Sequence, residues 1–147
     1  MERSLVLLKP DTVQRGLIGE LITRMEEKGL KISAMKLMQV SEDLAKRHYE
    51  EHLEKDFFSD LFNFITSSPI VAMVVEGDQA VSVIRKMMGA TNPFEADPGT
   101  IRGDYGLDLT KNLVHGSDSA ESAKREIDLF FDEDEIVDYE LTSKKWR

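Results

Sequence analysis

The chain has 147 residues, 41% of them apolar and 32% charged, with a formal net charge of −9 and no cysteine. That length and balance predict one soluble domain, residues 1–147, with enough chain to bury a core. They exclude disulfides and thiolate metal sites, a membrane span of ~18 apolar residues, and a nucleic-acid polymer as main partner, which would need a basic surface.

The N-terminus puts Glu2 and Arg3 before a short apolar run, unlike a secretory signal, and this favours the cytoplasm. Ser4–Lys9 reads as a buried strand stopped by Pro10. Apolar residues at 17, 18, 21, 22 and 25 form a helical stripe, with Gly29 as its C-cap. Leu30–Val40 alternates like a half-buried strand, and Ser41 opens a short helix with acids in its first turn. "FFSDLFNFITSS" predicts another helix, ending before Pro69. Ile70–Gly77 is apolar enough for a central strand. "QAVSVIRKMMG" is a helix closed by Gly89. A long loop, Ala90–Lys111, holds Pro93, Pro98 and three glycines, and such loops in compact domains are usually functional or disordered. "NLVHG" is a short strand, and a helix over Ser119–Phe130 follows it. The acidic stretch Phe130–Glu140 reads as a solvated surface.

This order approximates βαββαβ with extra helices. It predicts an α+β ferredoxin-like fold: a four-stranded antiparallel sheet, helices packed on it, and a long loop before the last strand. A parallel doubly wound sheet is the alternative.

The last helix shows a chemical pattern. Asp118 and Glu121 have capping-box spacing. At ~100° per residue, Ala123, Ile127 and Phe130 share one face, and Glu126 lies about 60° from it. Glu126 is therefore the acid best aimed at the strand carrying His115, where a carboxylate can orient an imidazole. By pattern alone Glu126 is equally a boundary residue paired with a lysine. His115 could be structural or reactive, and Gly116 after it permits a sharp bend or close backbone approach.

Two other features compete for attention. "HYEEH" places His48 and His52 four residues apart with Glu51 between, the inverted zincin pattern. It lacks an obvious further ligand, and a solvated helix face accounts for it. No P-loop and no G-x-G-x-x-G occurs, so any nucleotide phosphate must be held by side chains. Lys9, Arg85 and Arg102 are the candidate cations. Phe57 or Phe58 could stack on a base, with core packing the default for both.

"LVLLKPDTVQRGLIGEL" (Leu5–Leu21), "ATNPFEADPGTIRGDYG" and "NLVHGSDS" resemble nucleoside diphosphate kinases, and the likeness runs in order from Arg3 to about Tyr139. The resemblance implies ping-pong transfer of a terminal phosphoryl group from a nucleoside triphosphate to a diphosphate. It would pass through a phosphohistidine on Nδ1 of His115, with tolerance of different bases. It gives Lys9 the ribose hydroxyl and the phosphates, with Tyr49 supporting Lys9 and the transferred group. Phe57 takes the base, Arg85, Thr91 and Arg102 the phosphate oxygens, and Asn112 the sugar. Ser117 and Glu126 become the support of His115. Mg²⁺ comes with the nucleotide, without a direct protein ligand, and Asp118 is a possible outer-shell partner. The family implies a homo-oligomer, with a hexamer favoured over a tetramer by the proline-bearing loop. Two positions depart from the pattern: Asp56 stands where many members have proline, and the tail "LTSKKWR" matches none.

Overall fold

The strand β1 (Glu2–Leu8) ends in a continuous apolar run, Leu5–Leu8, which needs cover on both faces and has it. Val6 and Leu8 pack into one buried cluster, while Leu5 and Leu7 pack into another on the opposite side. The computed structural model describes all residues from Met1 to Arg147. Its other strands are β2 (Lys31–Met38), β3 (Ile70–Gly77) and β4 (Val114–Gly116). They form one sheet in the order β2-β3-β1-β4, and every neighbouring pair is antiparallel. This is the ferredoxin-like α+β arrangement; the parallel alternative is excluded by the pairing.

Seven helices connect and cover the sheet. They are α1 (Pro10–Gln14), α2 (Ile18–Lys28), α3 (Glu42–His48), α4 (Phe58–Thr66), α5 (Ala80–Met88), α6 (Ile101–Tyr105) and α7 (Ala120–Phe130). Leu21 and Met25 of α2 and Ile84 and Met88 of α5 fill the first cluster. Ala45 of α3, Ile65 of α4, and Ile127 and Phe130 of α7 fill the second. Gly29 ends α2 in the left-handed conformation, φ 98°, as its position after the stripe predicts.

Pro10 stands beyond the end of β1, as expected, and is also the first residue of α1, where a missing N–H costs nothing. Two expectations are corrected. The loop over 90–111 is not irregular throughout. It contains a 3₁₀ turn at Pro93–Glu95 and α6, whose N-cap Thr100 accepts a bond from the Gly103 N–H. The cap of α7 is Ser119, whose side chain accepts from the Ser122 N–H, so Asp118 and Glu121 are not a capping box.

Candidate active site

β4 pairs His115 opposite Leu7, which turns the imidazole toward the face covered by α3 and α7. There Glu126 projects from α7 and is 6% exposed. Its Oε1 lies 2.9 Å from His115 Nε2 and 2.8 Å from Ser117 Oγ. Ser117 Oγ also accepts the Leu5 N–H at 3.0 Å, so its own proton is directed at the carboxylate. Burial pushes the Glu126 carboxyl up, but the bond to His115, that ring's charge and the Ser117 bond outweigh it and hold it below the usual range. An ionised Glu126 accepts the proton on Nε2, and the neutral ring then keeps its lone pair on Nδ1.

The other side of the site is built from distant segments. Lys9, at the end of β1, is buried, and its Nζ donates to Asn112 Oδ1 at 2.7 Å. Burial and the nearby Arg102 lower the Lys9 ammonium to about 8. Asn112 Nδ2 donates to the carbonyls of Thr91 and Leu109. Arg102 is buried on α6, and its fork spans three backbone carbonyls: Nε to Asn112, Nη1 to Gly89 and Nη2 to Val114. Burial, then Arg85, lower its guanidinium to about 10. Three of its five N–H groups are used on carbonyls, which leaves two free of those bonds. Arg85 is exposed on α5, with Nη1 3.4 Å from the Gly116 carbonyl, one residue beyond His115. Thr91 is exposed at the start of the long loop.

The aromatic pair after Asp56 divides. Phe58 packs on Phe62 at 5.6 Å, while Phe57 is 47% exposed, with the His52 ring 5.4 Å away. Tyr49 is buried, and burial followed by the charge of Glu126 pushes its phenol up. Asp118 is held below the usual range by a bond from Ser122 and by the charges of Arg85 and His115. No group of three or more histidine or acidic side chains is arranged to hold a metal ion.

Two expectations fail here. "HYEEH" is not a solvated face: His48 is 6% exposed, its ring 4.9 Å from that of His115 and edge-on to it, and 5.3 Å from Phe130. Burial and the neighbouring His115 drive the His48 imidazole down to about 3, so it stays neutral. The signal was its place on the α3 stripe with Leu44 and Ala45, four and three residues earlier. Gly116 makes no bend; it lies in β4, and a Cβ there would meet Met88 Sδ at 2.7 Å and Ile84 Cγ2 at 3.1 Å. Its hydrogen lets α5 approach.

The model of the family described as nucleoside diphosphate kinase matches residues 2–136. A nucleoside diphosphate kinase of Methanobrevibacter smithii is 59% identical over 145 residues, covering 99% of this chain and 97% of its own. One from Archaeoglobus fulgidus is 60% identical over 146 residues, covering 99% and 97%. The solved structure of a halophilic nucleoside diphosphate kinase from Halobacterium salinarum in complex with CDP superposes with a TM-score of 0.97. It is 54% identical and covers 99% of this chain and 97% of that one.

Proposed function

The chain belongs to the nucleoside diphosphate kinase family, and from that membership we propose that it moves the terminal phosphoryl group of a nucleoside triphosphate, typically ATP, to a nucleoside diphosphate through His115. It is a phosphotransferase that binds nucleotides. One contact carries the mechanism: the 2.9 Å bond between His115 Nε2 and Glu126, which leaves the Nδ1 lone pair for attack. Nδ1 forms a bond to the γ-phosphorus as the bond to the β-phosphate oxygen breaks, and the diphosphate leaves. The Nε2 proton stays against Glu126, whose negative charge offsets that of the ring. A second diphosphate then takes the group by the reverse path. Donor and acceptor bind alike, so one site serves both half-reactions.

Lys9, Arg85 and Arg102 supply positive charge where charge develops on the phosphates. Their mutual effects support a shared site: Arg102 depresses Lys9, and Arg85 depresses Arg102. Asn112 keeps an Oδ1 lone pair for a sugar hydroxyl beside Lys9. Thr91 offers its hydroxyl to a phosphate oxygen, and Tyr49, buried beside His48 and near the Glu126 charge, supports Lys9 and the transferred group. The exposed ring of Phe57 suits stacking, which tolerates any base because every base has a π-face. Mg²⁺ entering with the nucleotide would neutralise phosphate charge in this site. Asp118, whose carboxyl is held below the usual range, would accept from the hydration shell of that ion.

No helix is long and apolar enough to cross a membrane, and we place the activity in the cytoplasm on a homo-oligomer, hexameric rather than tetrameric. Its support is apolar surface left open: Met35 and Leu37 on the edge strand β2, and Phe94, Leu107 and Leu109 in the long loop.

The test is incubation with labelled ATP and Mg²⁺ without acceptor. The expected product is a phosphoprotein stable in base, labile in acid and discharged by GDP or CDP. It should be absent in His115→Ala; full transfer by that variant overturns the assignment.

A further inference from the structure

Leu113 stands two residues before His115 with φ 78°, and the other non-glycine residue at positive φ, Gln79, lies far off at the start of α5. A left-handed leucine is costly and persists only where its surroundings hold it. The Val114 N–H reaches back to the Asn112 carbonyl at 2.9 Å, closing a three-residue turn centred on Leu113. The Leu113 side chain is fully buried.

The backbone of this one residue is gripped by the segment after β1. Its N–H donates to Asp11 Oδ2 at 3.1 Å. Its carbonyl accepts the Thr12 hydroxyl at 2.7 Å and the Lys9 N–H at 2.9 Å. Thr12 is fully buried. Arg102 takes the carbonyls on either side, those of Asn112 and Val114.

The turn separates two functions. His115 is fixed by the strand ladder, through the pairs Leu8 with Val114, Leu7 with His115 and Val6 with Gly116. Asn112 lies outside that ladder. Its direction toward Lys9 depends on the backbone angle at Leu113, because a return to ordinary φ would swing residue 112 relative to residue 115.

We propose that Asp11 and Thr12 are positioning residues for phosphoryl transfer: by holding Leu113 in the left-handed conformation they aim Asn112 and Lys9 at the nucleotide that His115 attacks. The proposal rests on the phosphotransfer reading. The clamp touches neither the nucleotide nor the reacting atoms, and acts only through Leu113.

Two donors separate the functions. ATP uses the sugar and phosphate contacts; phosphoramidate carries no sugar, and transfers its phosphoryl group to the imidazole as the P–N bond breaks and ammonia leaves. Rates of His115 phosphorylation by each donor are measured for the wild-type protein, Thr12→Val, Thr12→Ser, Asp11→Ala and Asp11→Asn, with thermal unfolding alongside. Thr12→Val keeps the buried volume and removes only the hydroxyl. It should slow the ATP reaction by about tenfold and leave the phosphoramidate rate near that of wild type. Thr12→Ser, which keeps the donor, and Asp11→Asn, which keeps an acceptor, should recover most of the ATP rate, and Asp11→Ala should behave like Thr12→Val. An unchanged ATP rate in Thr12→Val, or an equal loss with both donors, overturns the clamp. A wild-type protein that gains no phosphate on His115 from ATP overturns the phosphotransfer reading itself, and the clamp with it.

Discussion

At the scale of single residues, Glu126 joins two donors in one buried place, the His115 ring and the Ser117 hydroxyl. Removing the carboxylate takes away the acceptor of both, although Ser117 Oγ still accepts the Leu5 N–H. Glu126→Ala should lower the rate of His115 phosphorylation by about a hundredfold through loss of ring orientation. It should also cost about 1–3 kcal/mol of stability for the unpaired groups. Rapid-quench measurement of the phosphoenzyme and urea unfolding check the two effects. His48 yields a prediction about pH. The imidazole is neutral in the fold down to about pH 3, whereas in the unfolded chain it protonates near ~6.5. The unfolded state therefore binds the extra proton, and stability falls as pH drops through that window. The slope is at most about 1.4 kcal/mol per pH unit. The groups that act on this ring are His115, Glu126, Arg125 and Lys9. Denaturant unfolding between pH 7 and 4 should show this loss, and His48→Gln should flatten it.

At the scale of elements, the approach of α5 to β4 sets where Arg85 stands. Gly116 allows that approach, because a methyl group would meet Met88 and Ile84. Gly116→Ala should destabilise the protein by about 1–3 kcal/mol through overpacking. It should also weaken nucleotide binding, since Arg85 leaves its place beside the Gly116 carbonyl. Calorimetric titration with a nucleoside diphosphate measures the second effect. The helical turn α6 has an equivalent role for Arg102. A short capped segment, Thr100–Tyr105, converts part of a long connection into a helical mount. Ile101 of that turn is fully buried in the first cluster, and Arg102 follows it.

At the scale of the whole molecule, a chain of net charge −9 still brings Lys9, Arg102 and Arg85 within one another's electrostatic reach. Acidic residues elsewhere carry the net negative charge, while partial burial strengthens the local positive field. The same surface leaves β2 as an open sheet edge with Leu37 66% exposed. An unpaired apolar edge is a template for a second copy. Leu37→Glu should therefore shift sedimentation velocity toward smaller species while His115 is still phosphorylated. An unchanged sedimentation coefficient removes β2 from the assembly surface.

Much of this was legible in the residues alone. The strand runs, the Gly29 cap and the Ser41 cap depend on neighbours within a few positions, and periodicity reports such neighbours directly. The inward aim of Glu126 follows from the same helical geometry. Pro10 marked the end of the strand, but its second role, starting α1, was not legible because it depends on what the next turn packs against. Only the tertiary structure decided that Lys9 bonds Asn112 across 103 positions and that His48 lies against His115. It also decided that Leu113 takes a left-handed angle. A ring contact between separate elements leaves no period in the sequence, and a strained angle is set by bonds from a remote segment rather than by the residue that bears it.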